Sequence, residues 1–278
     1  MTLNVQMNDL QQAAHDEGHD YADGSPHIKH HKIRTTIVET LQDVVRNILD
    51  RQGRCRVVEI GAGHGGFTDH LVAAGATVEV TEMSRPSAAE LTRRFRHNPA
   101  VTVTVDLDGS AATSGPPVDV VVCLSVLHHI PDYLAAVEGM VDRIAPGGSF
   151  VSFQDPLWYS RRKRSSLLTE RAAYLAWRVP QGQLRRGIAA TARRARGKLD
   201  ETNPSDMVEY HVVRQGVDDQ ALEAILRPRF RRVEIRRYWS SHLGWTQAAG
   251  QWAFDPNTFG LVATDRGRSL NCRGSGRC

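Results

Sequence analysis

Short apolar runs alternate with helical patterns through the middle of the chain. Between residues 55 and 155, β-branched runs alternate with segments in which apolar residues recur at helical spacing. The runs are CRVVEI, TVEVTE, VTVTV, VDVVVCL and SFVSFQ. This alternation is typical of a parallel sheet covered by helices on both faces. We therefore predict an α/β, doubly wound fold with a mostly parallel sheet.

The remaining segments predict how the chain is organised around this core. A helix is predicted before the first strand, with Ser25 as its N-cap and Pro26 at its first position. A capping box from Ser87 to Glu90 predicts the start of a later helix. The predicted apolar face of the first helix comprises Ile33, Ile37, Leu41, Val44, Val45 and Ile48. The predicted segments are 1–24, a flexible lid; 25–155, the binding core; 156–216, a basic helical cap; 217–265, the rest of the sheet; and 266–278, a disordered tail.

Composition narrows the class of protein. With 278 residues, 41% of them hydrophobic, the chain can bury one large core. No apolar run approaches the roughly 20 residues that a membrane-spanning helix needs, so we expect no membrane span and a cytoplasmic location. The four cysteines show no CxxC pairing, which predicts neither a disulfide framework nor a zinc site.

A glycine-rich turn, GAGHGG, follows the first strand. Gly61, Gly63 and Gly66 satisfy the GxGxxG pattern of dinucleotide sites, so a nicotinamide cofactor must be considered. Against it stands Glu59, whose carboxylate suits a ligand with ammonium or sulfonium charge better than a diphosphate. Glu82 closes the second strand, where a carboxylate can accept both hydroxyls of a ribose, and this fits either cofactor.

Five stretches of the chain carry a resemblance to a known family. VEIGAGHGGFT, VTEMS, VTVTVDLDG, VDVVVCLSVLHHIPDY and RIAPGGSFVSFQDP resemble the motifs of class I S-adenosylmethionine-dependent methyltransferases of the small-molecule type. The resemblance covers roughly residues 30–155, with a weaker match over 217–265. It implies a seven-stranded, mostly parallel, Rossmann-like sheet, a helical cap inserted after strand 5, and S-adenosylmethionine as cofactor. It does not specify the substrate.

The resemblance also implies roles for residues of the cofactor site. Glu82 would hold the ribose, and Asp106 would bind the adenine amino group, with Met83 and Leu107 packing against the ring. Asp106 is preferred to Asp108 because it directly follows the apolar run. The residues implied at the methionine end and the sulfonium are Glu59, Gly61, Ala62, Gly63, Gly65, Leu124 and Ser125.

Methyl transfer requires a general base only if the acceptor carries a proton that must leave. His128 and His129 follow the fourth strand, Asp155 ends the fifth, and His211 lies in a later segment. Active sites of open α/β sheets lie beyond the carboxyl ends of the strands, which favours the first three as catalytic residues. One imidazole of the LHH sequence is expected to pack or to cap backbone groups instead.

Residues 156–216 are strongly basic. They contain 13 Lys and Arg against 5 Asp and Glu, a net charge of +8 where the whole chain has +4. The segment reads either as a solvated cap helix or as a surface for an anionic metabolite, a lipid headgroup, a carrier protein or RNA. The residues predicted to form the acceptor wall are Trp158, Tyr159, Arg162, Tyr174, Trp177 and Tyr210.

An N-terminal histidine cluster raises the question of a metal. His27 and His31 have the i to i+4 spacing that places two ligands on one helical face, but no Asp or Cys nearby completes a set. We therefore predict no metal, and expect a solvated polar helix or a lid over the cofactor.

The functional prediction is methyl transfer to oxygen or nitrogen of a small metabolite, with carbon ranked lower, in specialised-metabolite biosynthesis. The alternatives are an RNA methyltransferase that uses the basic cap, a cofactor-binding partner subunit without turnover, and a nicotinamide oxidoreductase. The predicted partner is a small-molecule acceptor and not DNA, with a weak anionic-surface or carrier-protein contact through the cap. The sequence does not fix the oligomeric state.

Overall fold

A seven-stranded sheet organises the structure, a computed structural model that describes residues 25–179 and 216–267. Its strand order is β3-β2-β1-β4-β5-β7-β6, with β1 to β5 parallel and β7 antiparallel to both its neighbours. The strands are β1 Arg56–Ile60, β2 Thr77–Glu82, β3 Val101–Val105, β4 Val118–Leu124, β5 Ile144–Pro156, β6 Phe230–Tyr238 and β7 Thr258–Arg266. The predicted α/β, mostly parallel, Rossmann-like fold is confirmed.

Helices cover both faces of this sheet. They are α1 Pro26–Lys29, α2 His31–Gln52, α3 Gly66–Ala73, α4 Arg85–Phe95, α5 Ser110–Thr113, α6 Tyr133–Arg143, α7 Arg164–Arg178, α8 Asp219–Leu226 and α9 Gly244–Ala253. Short 3-10 turns span Leu127–His129 and Tyr159–Arg161. Among the described residues, no helix is long and apolar enough to cross a membrane.

Two apolar clusters flank the sheet, one on each face. The predicted apolar face of α2 is buried at all six positions and packs in the first cluster. Strand β4 is buried along its whole length, as its continuous apolar run predicts. Val120 and Val122 pack in the first cluster, while Val121 and Cys123 pack in the second. The centre of the sheet is thus packed on both faces, and the candidate functional groups lie at the ends of its strands.

The first helix begins as predicted, with Ser25 at its N-cap and Pro26 in its first turn, but it is not continuous. His30 has extended backbone angles (φ −91°, ψ 112°) and separates α1 from α2. Its side-chain Nε2 donates a hydrogen bond to the carbonyl of Ser241, 2.6 Å away, in the loop after β6. This long-range bond fixes His30 outside helical geometry, and the local pattern does not predict it.

Two other predicted boundaries also move. Helix α4 begins at Arg85, and its N-cap is Ser84, whose side chain accepts a hydrogen bond from the Ser87 amide; the capping box from Ser87 is wrong. Pro86 lies in the first turn, where its missing N–H costs nothing. The sequence also predicts that Pro146, Gly147 and Gly148 stop helix α6, but α6 ends at Arg143 and β5 begins at Ile144, so these three residues lie within the strand.

Candidate active site

The carboxyl ends of the five parallel strands meet along one edge of the sheet. Glu59 and Glu82 lie at the ends of β1 and β2, and Asp106 directly follows β3. Ser125 directly follows β4, and Asp155 lies near the end of β5. Because β1 pairs with both β2 and β4, the register brings these positions side by side. The edge is the usual location of a ligand site in open α/β sheets.

The glycine turn between β1 and α3 has three residues in left-handed conformation. Gly61, Gly63 and Gly65 have φ of 64°, 56° and 75°. A Cβ on Gly61 would lie 2.9 Å from Val126 Cγ2, so this glycine also allows close approach of the loop after β4. Gly66, the third glycine of the dinucleotide pattern, instead opens α3. The geometry therefore follows a GxGxG spacing.

A pair of substitutions tests this spacing. Gly65→Ala is expected to destabilise the protein by about 1–3 kcal/mol, because it forces a positive φ and places Cβ 2.7 Å from Phe95. Gly66→Ala has open space around its Cβ and is expected to be neutral or to stabilise by about 0.4–1 kcal/mol. Thermal denaturation measures both. Equal losses would contradict the assignment.

Glu59 lies near the end of β1, and its side chain is buried. Its side chain is only 2% exposed, and Oε2 accepts a 2.6 Å hydrogen bond from Thr68 of α3. Burial raises the pKa of Glu59 to about 7, and the charges of Asp69 and Glu82 act in the same direction. The carboxyl group is therefore poised to ionise when a positive charge comes near it.

Glu82 is held by backbone groups at the end of β2. Its Oε1 accepts a 3.0 Å hydrogen bond from the amide of Ser84, and the backbone of Gly63 also acts on the carboxylate. Burial is the largest influence and raises the pKa of Glu82. Half-buried Met83 lies next to it. The carboxylate is thus oriented beside the glycine turn, as a ribose contact requires.

Asp106 and Asp108 are distinguished by burial. Asp106 is buried, and its two carboxylate oxygens accept hydrogen bonds from the amides of Ala111 (3.1 Å) and Ala112 (3.0 Å). Asp108 is exposed and accepts one from the amide of Ser110. The structure supports the preference for Asp106, and it adds that this carboxylate also holds α5. Leu107 between them is half-buried.

The loop after β4 begins with a strained residue. Ser125 has φ of 60°, unusual for a residue other than glycine, and its amide donates to the carbonyl of Phe153 at 2.7 Å. Leu124 before it is buried at the end of the strand. Strain of this kind persists where the surrounding structure fixes it, often at a ligand site. The conformation of Ser125 places Val126 against Gly61 and turns the chain toward His128.

His128 and Asp155 form a buried pair. Nδ1 of His128 lies 2.8 Å from Oδ1 of Asp155, which also accepts from the His128 amide at 3.1 Å. Ser152 donates to the other carboxylate oxygen at 3.0 Å. Burial lowers the pKa of His128 to about 3 and raises the pKa of Asp155 to about 7. Near neutral pH the imidazole is thus uncharged and oriented through Nδ1. The His129 ring lies 4.0 Å away, centroid to centroid.

Comparison with known proteins finds a similar family. Residues 58–150 match the model of a family described as a methyltransferase domain. The match covers about a third of the chain and includes the glycine turn, Glu82, Asp106 and the loop after β4. The N-methyltransferase NodS from Bradyrhizobium japonicum WM9, solved with S-adenosyl-L-homocysteine, has the same fold. Its TM-score is 0.51 at 15% identity, covering 94% of this chain and 98% of that one.

Curated relatives match only part of the chain. A highly reducing polyketide synthase of Strobilurus tenacellus is 35% identical over 108 residues, 35% of this chain and 4% of that protein. The ubiquinone biosynthesis O-methyltransferase of Ralstonia nicotianae is 32% identical over 100 residues, 34% of this chain and 40% of that protein. The chain thus spans less than half the length of either relative.

Two arginines at the start of the cap are paired with acidic side chains. Arg161 forms ion pairs with Asp218 and Asp219 at the start of α8, and its Nη1 lies 3.2 Å from Oδ1 of Asp219. Arg162 is 3% exposed in its side chain and pairs with Glu170 at 2.7 Å. Arg162 is therefore paired within the cap next to the start of α7, and this contact does not support its predicted role as an acceptor contact.

The aromatic residues predicted to form the acceptor wall make contacts at different places in the structure. Trp158 lies beneath the Arg161 guanidinium, 4.8 Å from ring centroid, and lines a surface depression of about 300 Å³ with Tyr133. Tyr159 lies under Arg162 at 5.3 Å. Tyr174 and Trp177 of α7 pack with His242, at centroid distances of 5.6 and 4.6 Å. Tyr210, His211 and the segment 1–24 lie outside the described residues.

Sequence reasoning missed His27. The expected solvated helix is wrong for this residue, whose side chain is 3% exposed and stacks on Phe67 with centroids 5.9 Å apart. His31 is exposed on the next helix, because the break at His30 separates the two. The described residues contain no cluster of three or more His, Cys, Asp or Glu able to hold a metal. Only packing against α3 reveals the difference between the two histidines.

Proposed function

We propose that this protein transfers the methyl group of S-adenosylmethionine to an oxygen or nitrogen atom of a small metabolite, with carbon ranked lower, in biosynthesis. The observation that carries the proposal is the buried His128–Asp155 pair, which lies at the same sheet edge as the glycine turn. A proton acceptor at this place fits acceptor atoms that lose a proton on methylation. The biosynthetic setting is supported by the names of the relatives alone.

The residues present fit the cofactor. The left-handed glycines allow the backbone to approach a ligand closely. Glu59 offers a carboxyl group that a sulfonium or ammonium charge would ionise, and Glu82 offers an oriented carboxylate for two ribose hydroxyls. Asp106 retains acceptor capacity for an amino group beyond its two backbone hydrogen bonds. When bound, S-adenosylmethionine supplies an activated methyl group on a sulfonium centre.

The protein's main contribution is to position the acceptor and to exclude water. Holding two reactants in line can contribute about 7–11 kcal/mol at best, so no nucleophilic side chain is needed. Bound S-adenosylmethionine would supply the methyl carbon, with its sulfur as leaving group that keeps the electron pair of the broken bond, and the acceptor's lone pair would form the new bond. The proton on the acceptor remains to be removed.

His128 is proposed to take that proton on Nε2, opposite the Nδ1 that faces Asp155. Its pKa, lowered by burial, keeps the imidazole neutral and able to accept. The ionised carboxylate of Asp155 then stabilises the imidazolium that forms, in the way a buried Asp supports His in other catalytic pairs. His129, whose ring lies beside this pair, remains a second candidate for the general base.

The pairing of Arg161 and Arg162 with acidic side chains supports a small acceptor over RNA. RNA binding requires lysines and arginines that are available to phosphates. At the base of the cap these two guanidinium groups are engaged within the protein. A carrier-protein contact through the cap stays a prediction.

Calorimetry and a transfer assay test the proposal. The purified chain is titrated with S-adenosylmethionine and, in parallel, with NAD. It is then incubated with methyl-labelled S-adenosylmethionine and either a panel of hydroxyl- and amine-bearing small molecules or total RNA. Binding of S-adenosylmethionine alone and label in a small molecule are expected. Binding of NAD alone, or label only in RNA, would overturn the proposal.

Proton release provides a further prediction. The pKa of Glu59, raised by burial to about 7, should fall when a cationic cofactor binds nearby, so binding expels protons between about pH 5 and 7. The cofactor affinity should therefore rise with pH through this window. Calorimetry in two buffers of different ionisation enthalpy measures the proton count. Glu59→Gln, which retains an acceptor for Thr68, should abolish the release.

A further inference from the structure

Helix α1 places one imidazole of the N-terminal segment over the glycine turn. His27 stacks nearly parallel, at 18°, on Phe67, the second residue of α3. Burial lowers the pKa of His128, and repulsion from His27, when that ring is protonated, lowers it further, so the two imidazoles lie within electrostatic reach of each other. His27 therefore contacts the helix that follows the glycine turn and lies near the proposed base.

The position of His27 is fixed from both sides. Ser25 and Pro26 before it are buried. After it, His30 donates its 2.6 Å hydrogen bond to the Ser241 carbonyl and ties α1 to the loop that follows β6. These contacts hold the short helix α1 in a fixed position against the rest of the structure.

The Nδ1 atom of His27 is buried and has no hydrogen-bond partner within the parts of the chain that the structure describes. Buried polar atoms in native proteins are almost always paired, so an orphan atom calls for a specific reason. Burial also lowers the pKa of His27 to about 4, which leaves the ring neutral near pH 7. A neutral imidazole nitrogen can accept or donate one hydrogen bond, and it offers no charge to an anion.

We propose that His27 is an acceptor-binding residue, whose unpaired Nδ1 hydrogen-bonds a neutral, hydroxyl-bearing acceptor beside His128. This inference rests on the proposed methyl transfer and names the acceptor class at the same site. The uncharged state of His27 and His128 favours an alcohol or phenol over an anion, and Arg161 and Arg162, engaged with acidic side chains, offer no compensating cation there.

The test uses the full chain labelled with ¹⁵N-histidine and catechol as the neutral hydroxyl probe, with and without S-adenosylhomocysteine. The His27 resonance, assigned by its loss in His27→Phe, should shift saturably with catechol and little with benzoate or benzylamine. An absent catechol shift overturns the role of His27. A larger shift with benzoate or benzylamine overturns the hydroxyl class.

Variants separate binding from folding. His27→Phe preserves a ring for Phe67 and should weaken catechol binding about tenfold, the value of one ordinary hydrogen bond. His27→Asn, which places an amide near the Nδ1 position, should restore most of it. His31→Phe, on the exposed side of α2, is the matched control and should change nothing. Equal catechol affinity in wild type and His27→Phe, at unchanged melting temperature, would overturn the proposal.

The outcome is separable from the proposed function. If S-adenosylhomocysteine fails to bind while catechol still shifts His27, methyl transfer is refuted and the His27 site stands. If S-adenosylhomocysteine binds and His27 does not respond to catechol, the site is refuted and methyl transfer stands.

Discussion

Asp155→Asn is expected to lower kcat by about 10²- to 10⁴-fold, the range that general acid–base catalysis contributes, with the affinity for S-adenosylmethionine unchanged. An amide at this position can still accept from the His128 amide, so the local structure persists. It has no negative charge with which to stabilise an imidazolium. Steady-state kinetics on an identified acceptor and calorimetry with the cofactor measure the two effects separately.

The pH dependence carries the same prediction. Burial raises the pKa of Asp155 to about 7, so wild-type kcat/KM should rise with pH through about 7 as the carboxyl group ionises. This inflection should disappear in Asp155→Asn. Ser152→Ala removes a hydrogen bond that holds the pKa down and should move the inflection upward.

Asp119→Asn is the control for Asp155→Asn. Asp119 is another buried carboxylate of the same sheet, but it lies at the amino end of β4 and accepts from the Arg56 amide at 2.7 Å. Its substitution should reduce stability and leave kcat nearly unchanged. A similar loss of kcat in both variants, or none in either, would contradict a catalytic role for Asp155.

Glu82→Ala is expected to weaken the binding of S-adenosylmethionine by about 100-fold. Hydrogen bonds to a charged group are worth about 1.5–3 kcal/mol, and tenfold in affinity corresponds to about 1.4 kcal/mol. The fold should persist. Burial disfavours the ionised carboxylate of Glu82 and raises its pKa, so removal of this side chain also removes an unfavourable contribution to stability. The lost acceptor for the Ser84 amide should cost only about 1 kcal/mol. Calorimetry and thermal denaturation measure the two quantities.

Glu79→Gln gives the opposite pattern and serves as the control. Glu79 is on the same strand and pairs with buried Arg143 at 2.6 Å. Its substitution leaves the buried guanidinium without its counter-charge, so stability should fall while cofactor affinity holds. Unchanged affinity in Glu82→Ala would refute the ribose assignment.

Much of the candidate site could be predicted from the sequence because its parts are local. A glycine turn after an apolar strand, and carboxylates that end neighbouring strands, are visible in the order of residues. The structure places Glu82, Asp106, Ser125 and Asp155 along one sheet edge, where parallel pairing brings the strand ends together. The spacing GxGxG also follows from backbone angles that only glycine adopts readily.

Other contacts could not be predicted because the partner is not visible in the local residue order. Arg161 lies in a segment predicted from its charge alone, yet the carboxylates of Asp218 and Asp219 reach Arg161 from 57 and 58 residues away. The residue order also does not show that Thr68 of the next helix donates a hydrogen bond to buried Glu59. A charge count contains no information about which opposite charge packs against each group.

The sequence by itself determined the alternation of strands and helices, the buried strand β4, the glycine turn and the resemblance to methyltransferase motifs, because each depends on residue order over a few positions. Only the tertiary structure decided that His30 leaves helical geometry, that His27 is buried on Phe67, and that His128 meets Asp155. These three depend on contacts between separate elements. Burial and hydrogen bonding there override what each residue prefers locally.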